Sequence, residues 1–463
     1  MREPMKQWKI WIDQYLTKEL GSKLFTYREL FSMLLPIILD VFFVNIIGIL
    51  TTAMVSSSSQ ESVSAVSLIN PIAMMIYAVI SALSTGGTVV TANYVGRGEK
   101  EKVKKTAGQV VSYLTVVGAF TSFIIVLFSK EIVRIFFTTA DKQVMRKAEI
   151  YLIGVAISMI FLAIYMAVFA IFRGIGETRT CLGLTVLINL IHLIASFLFI
   201  NIMNLDILGT VLSLNIARAI GAVVAIYMVM CKKGKIGIAF NYFFSLNKDI
   251  GSNIFKIGIP FAIEQILINM GGMLVQTFLV PLGTMIIAAN AVTNSVLSIL
   301  FAAGTAVGTL SMTIVGQCIG AGEQRLVKKY GKSMTKLASY MIILSSMIFL
   351  PLMPGILSLY KAPVETVNLI WKLILSTIIP VIFFWPFSSV LPCILRASGD
   401  SAYVSWVSLI TMWSIRVLLG YLLTIPLGFG VMGLFIAMSA EWMVKSFIYF
   451  LRYRRINNRV LDD

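Results

Sequence analysis

The chain has 463 residues, of which 58% are hydrophobic and only 13% charged, with a mean hydropathy of +0.90. An ordinary soluble domain, with about 25% charged residues, is excluded. The formal net charge of +17 could point to nucleic acid, but the basic residues gather in alternate gaps between apolar runs, a signature of membrane topology and not of a nucleic-acid-binding face.

Crossing the hydrocarbon takes about 20 mostly apolar residues per helix. Twelve such runs are predicted, near 31–55, 63–95, 105–128, 148–172, 180–201, 207–230, 256–282, 286–316, 334–353, 366–395, 402–425 and 431–451. The fold class expected is therefore an all-α polytopic membrane protein of twelve transmembrane helices. Of the 38 lysines and arginines, 28 fall in the two tails and the even-numbered gaps, which places both termini in the cytoplasm and the chain in the cell membrane as a multi-pass protein.

Residues 1–30 are expected to form an interfacial helix, or one that merely feeds the first span. Trp8, Ile10, Trp11, Tyr15, Leu16 and Leu20 recur near helical spacing among Lys6, Lys9 and Lys18, as in segments lying at headgroup level. Asp13 and Glu19 interrupt any cleavable signal core. The first span carries Pro36, Asp40 and Asn45 and ends in Thr51-Thr52-Ala53-Met54. The second contains Asn70-Pro71 and the small cluster Ser84 to Gly87, which suits close helix packing. It ends in Gly96-Arg97-Gly98-Glu99, a turn with no preceding strand and no following Gly-Lys-Ser/Thr, so a nucleotide loop is not indicated. The fifth span holds Asn189 and, three residues on, the only histidine, His192. Its ring is either a proton switch or a buried neutral group.

After a cytoplasmic linker at 231–255 the pattern begins again. Pro260, Glu264, Asn294, Gly320, Gly322 and Lys328 each stand 224 residues beyond Pro36, Asp40, Asn70, Gly96, Gly98 and Lys104. Arg396 stands 223 beyond Arg173, and Gly433 224 beyond Gly209. The duplication covers six spans per copy, so two pseudo-symmetric bundles, 31–230 and 256–451, are expected to share one orientation about an axis along the membrane normal. A tail at 452–463 follows. Four cysteines, Cys181, Cys231, Cys318 and Cys393, lack metal-type spacing and are expected as free thiols.

Asp40, Arg218, Glu264, Arg416, Glu441 and Lys445 are charged residues well inside the predicted spans. Each costs about 2.5–3.5 kcal/mol at a helix centre and needs a partner, a cavity or an interface. Glu441 and Lys445 are placed to pair within one helix. Arg218 and Arg416 either snorkel or pair across helices with Glu441. Asp40 and Glu264 have no base within a helical turn, and each follows a proline that opens the backbone. A carboxylate in such a place can exchange a proton, ligate Na⁺ or attract a cationic solute, or it can bond freed backbone. Gln265 and the Gly271-Gly272 pair favour Glu264. Trp385, between Pro380 and Pro386 in an interrupted tenth span, is the aromatic candidate for a substrate cavity. With short loops and no nucleophile, carboxylate-pair or metal constellation, an enzyme is not indicated.

The residues resemble the multidrug and toxic compound extrusion family, the MATE transporters, over nearly the whole length. The resemblance is carried by Leu35 to Leu39 leading to Thr52-Ala53-Met54-Val55, Gly258-Ile259-Pro260 with Glu264, Ala289-Asn290-Ala291 to Asn294, Val315 to Gly322, Leu395 to Asp400, and Met412 to Arg416. It implies two six-helix bundles that expel small organic cations or amphiphiles in exchange for H⁺ or Na⁺, with no other cofactor. Many members have an acid where this chain has Thr51, and another where it has Leu193. Asp40 lies 11 residues before Thr51, about 16 Å along a helix, too far to replace that acid directly. The expected partners are the solute and the lipid bilayer, with no nucleic acid, and a monomer is expected. The alternative within the same superfamily is a lipid or polysaccharide flippase, which would need a strongly basic cavity.

Overall fold

The computed structural model describes residues 13–55, 59–136, 141–231, 237–243, 247–359 and 363–462. Among them every regular element is helical, and twelve helices are long and apolar enough to cross a membrane. The spans are Tyr27–Val55, Gln60–Gly96, Lys100–Leu127, Lys142–Gly174, Thr178–Ser196 continued by the π-type turn Phe197–Ile202, Asp206–Cys231, Lys248–Thr277, Thr284–Gly320, Gln324–Leu359, Val364–Phe383 with Trp385–Ala397, Ser401–Thr424 and Val431–Asp462. The tenth span breaks at Phe384, where Pro380 and Pro386 remove backbone donors from consecutive turns. The twelfth runs into the region expected as a tail.

The duplication is written in the backbone. Gly98 and Gly322 have φ of 72° and 74°, and Gly176 and Gly399 have 86° and 88°. In all four turns the next residue, an acid, donates its N–H to the carbonyl five residues back: Glu99 to Tyr94, Glu177 to Phe172, Glu323 to Cys318 and Asp400 to Leu395. This is the Schellman ending of a helix, in which glycine supplies the left-handed conformation, and the acid then favours the N-terminus of the following helix.

The chain divides into two compact units. One contains residues up to Ile38 together with Gly271 onward, and the other is Leu39–Met270. The boundaries fall inside the first and seventh spans, whereas the sequence repeat restarts beyond the 231–255 linker. In the Leu39–Met270 unit the second and seventh spans cross at glycines. A Cβ on Gly86 would lie 2.5 Å from the Ile254 carbonyl oxygen, and one on Gly258 would lie 2.8 Å from Leu83 Cδ2. At the helix ends opposite Gly98 and Gly176, Asp206 accepts from Ser62 Oγ at 2.7 Å and Lys147 Nζ at 2.8 Å, tying the second, fourth and sixth spans together.

In the other unit residues 13–20 are helical ahead of the first span. Trp8, Ile10 and Trp11 of the expected interfacial helix lie outside the described residues. The end of this helical stretch is clasped to the ninth span: Tyr330 donates to the Leu20 carbonyl at 3.1 Å, Ser333 to that of Glu19 at 2.9 Å, and Lys336 pairs with the Glu19 carboxylate at 3.2 Å. Lys336 and Ser333 hold the Glu19 carboxyl below its ordinary range. All four cysteines are free.

Candidate functional site

Glu264 is buried at 3% exposure, one turn after Pro260 in the half of the seventh span that packs into the Leu39–Met270 unit. The glycine crossing at Gly86 and Gly258 is what brings that helix close enough to belong there. Gln265 beside it is half-buried, and its carbonyl accepts from Asn269 Nδ2 at 2.8 Å.

Asp40 lies in the same unit at 7% exposure. Its Oδ2 accepts from Arg173 Nη2 at 3.1 Å, while Oδ1 is inaccessible and has no hydrogen-bond partner among the described residues. Arg173 also lies over the Phe169 ring, 5.3 Å from its centre. The predicted fourth span stops at Phe172, which leaves Arg173 in a loop. In the structure the helix continues to Gly174 and carries the guanidinium back to the first span.

Arg218 Nη1 donates to Ser158 Oγ at 2.6 Å, on the fourth span, and the Tyr165 hydroxyl stands beside it. The two helices are locked by Asn215, whose Nδ2 donates to the Gly154 and Val211 carbonyls at 2.9 Å each. His192 is half-buried within the field of Arg218, and its Nε2 is inaccessible without a partner among the described residues. Asn189 is spent on its own helix, donating to the Thr185 carbonyl at 2.8 Å. Asn70 is exposed.

The unit containing Gly271 onward carries two further polar groups. Asn294 Nδ2 donates to Asn290 Oδ1 and Asn290 Nδ2 to Gln276 Oε1, both at 3.1 Å, an amide ladder between the seventh and eighth spans. Glu441, 1% exposed, lies 2.5 Å from both Arg416 Nε and Lys445 Nζ, although the Arg416 contact is not aligned as a hydrogen bond. The expected Glu441–Lys445 pair is present, and Arg416 takes the cross-helix place. Trp385 lies in an apolar core with Ile342, Val381 and Trp442, its ring stacked on Phe301 at 4.7 Å.

The eight sequence candidates thus fall into separate neighbourhoods. Asp40, Glu264, Gln265, Asn70, Asn189 and His192 belong to one unit, and Asn294 and Trp385 to the other. Arg173, Ser158, Tyr165, Gln276 and Asn290 are additional polar members of these groups. The fourth-span residues had a signal: Tyr151, Ser158 and Tyr165 stand seven apart, a polar stripe on one helical face. Among the described residues no group of three or more His, Cys, Asp and Glu is arranged to hold a metal.

The MatE family pattern matches residues 36–198 and again 260–422, one match per copy of the duplication. An uncharacterized transporter of Bacillus subtilis, YisQ, is 27% identical, with 92% of this chain and 94% of YisQ covered. A probable multidrug resistance protein of Thermotoga maritima, NorM, is 24% identical, covering 93% and 92%. A solved outward-facing multidrug resistance transporter of the MATE family superposes with a TM-score of 0.86 at 16% identity, over 94% of this chain and 96% of the other. Duplicated six-helix halves, buried charges within the spans and a family match in each half lead to one conclusion: the chain belongs to the MatE family, and it is a multi-pass membrane transporter, not an enzyme.

Proposed function

We propose that the protein is a secondary active exporter that moves small organic cations or amphiphiles out of the cell, in exchange for H⁺ or Na⁺, by alternating access. It sits in the cell membrane with both termini cytoplasmic. The observation that carries this reading is Glu264: a carboxylate 3% exposed in a membrane-spanning helix whose backbone is opened by Pro260. Such a group gains from binding a proton or a metal cation and from exchanging it for a cationic solute. Asp40 has one of its oxygens engaged by Arg173. The multidrug resistance name of the Thermotoga relative supports the solute class.

The test is ethidium efflux from proteoliposomes under an imposed H⁺ or Na⁺ gradient. One of the two gradients drives efflux by the native protein, and Glu264→Gln abolishes the gradient dependence. Efflux indifferent to both gradients, or unchanged in the variant, contradicts the assignment.

A second reading, a flippase for lipid-linked or polysaccharide substrates, is favoured by two guanidinium groups in one unit, Arg173 on Asp40 and Arg218 on Ser158, the latter with no carboxylate partner among the described residues. Gradient-independent translocation of a fluorescent anionic lipid, with no ethidium efflux, would select it.

A further inference from the structure

Arg218 has no counterpart in the second copy. The residue 224 positions on is Trp442, and the residue 223 beyond its partner Ser158, by the offset that relates Arg173 to Arg396, is Val381. Trp442 and Val381 belong to one apolar core, Val381 fully buried and Trp442 at 6% exposure. The same helix crossing is therefore closed by apolar packing in one half and by a guanidinium on a serine in the other. The architecture does not require a charge there.

The charge is also under-partnered. A guanidinium has five N–H donors in a planar fork. Among the described residues Arg218 donates to Ser158 Oγ at 2.6 Å and meets the hydroxyl of Tyr165, and no carboxylate pairs with it. The carboxylate whose field reaches Tyr165 as well, Asp40, gives its Oδ2 to Arg173. Tyr151 and Tyr165, 7% and 9% exposed, stand seven residues to either side of Ser158 on the fourth span, and His192, whose Nε2 is buried without a partner among the described residues, lies within the field of Arg218. A cation inside a membrane span with neutral donors about it and no counter-charge is arranged as the receiving end of an ion pair.

We propose that Arg218, with Ser158, Tyr165 and His192, binds an oxyanion group, a carboxylate, sulfonate or phosphate, carried by an amphiphile. This deepens the reading of the protein as an exporter of amphiphiles, on which it rests: solutes bearing a carboxylate as well as a cationic centre belong to its range. The oxyanion takes the open N–H groups of the guanidinium in bidentate fashion and accepts from the Tyr165 hydroxyl. The source is either the solute or the phosphate of a lipid headgroup.

The experiment is equilibrium binding of two dyes sharing a xanthylium cation to the purified full-length protein in detergent: rhodamine B, with a free carboxylate, and rhodamine 6G, in which that carboxyl is an ethyl ester. Arg218→Gln is expected to weaken rhodamine B at least ten-fold and rhodamine 6G less than three-fold, with Arg218→Lys intermediate for rhodamine B. A loss of rhodamine B affinity under two-fold, or equal loss for both dyes, overturns the proposal. Thermal unfolding of each variant identifies misfolded protein, for which Tyr165→Phe, removing the hydroxyl that donates to the oxyanion, supplies the same selective loss on an intact frame. Adding phosphatidylglycerol to the micelles separates the sources: competition against rhodamine B in the native protein assigns the site to a headgroup, and its absence assigns the site to the solute. Binding is read without a gradient, so a failure of coupled efflux leaves this result standing, and the converse also holds.

Discussion

At the scale of single residues, the membrane interior makes each charge a question of partners. Asp40 shows how the answer can lie outside the local sequence. No base stands within a turn of it, and the partner that does reach it, Arg173, is 133 positions away at the very end of another helix. Removing one member of a buried pair leaves the other unpaired at a cost greater than the pair itself contributes. Asp40→Asn and Arg173→Gln are each expected to destabilise the protein by on the order of 1.5–3 kcal/mol, read as lowered thermal midpoints in detergent, while the double variant loses less than the sum. Additive losses would show that the two side chains do not depend on one another. Glu441 behaves differently, because two cations share it and the acid-first spacing to Lys445 made one of them visible in sequence.

At the scale of elements, helix crossings and helix endings determine where these residues sit. The Schellman turns at Gly98, Gly176, Gly322 and Gly399 repeat with the sequence offset and set the register in which each following helix starts. The crossing of the second and seventh spans positions Glu264, and it depends on a hydrogen where any other residue has a carbon. Gly86→Ala would drive a methyl group into the Ile254 carbonyl oxygen, a backbone atom that cannot turn aside. It is expected to lower the thermal midpoint and reduce efflux, whereas Gly183→Ala, whose added carbon meets nothing within 4 Å, leaves both unchanged. If Gly86→Ala also matches the native protein in both measurements, the close crossing is not what holds the seventh span.

At the scale of the whole molecule, apolar runs and the duplication determine most of the fold: span number follows from the runs, and the pairing of proline with carboxylate and of the four glycine turns follows from offsets of 224 and 223. What sequence did not reveal is where the copies diverge in three dimensions. Arg173 was hidden because a helix ran two residues past its apolar stretch. Trp385 looked like a cavity residue between two prolines, yet it stacks on Phe301 in a core, since an aromatic ring beside a helix break can pack inward as readily as line an opening. Ser158 stands on a stripe legible in sequence, but its pairing with Arg218 emerges only with the fourth and sixth spans side by side. The proposed coupling rests on one buried carboxylate, Glu264. Its coupling role is tested most directly by measuring ethidium affinity of the purified protein across a series of Na⁺ concentrations and pH values. Antiport through Glu264 requires that affinity fall as Na⁺ rises or as pH drops, and that Glu264→Gln flatten the dependence. A native protein whose ethidium affinity is indifferent to both ions would contradict it.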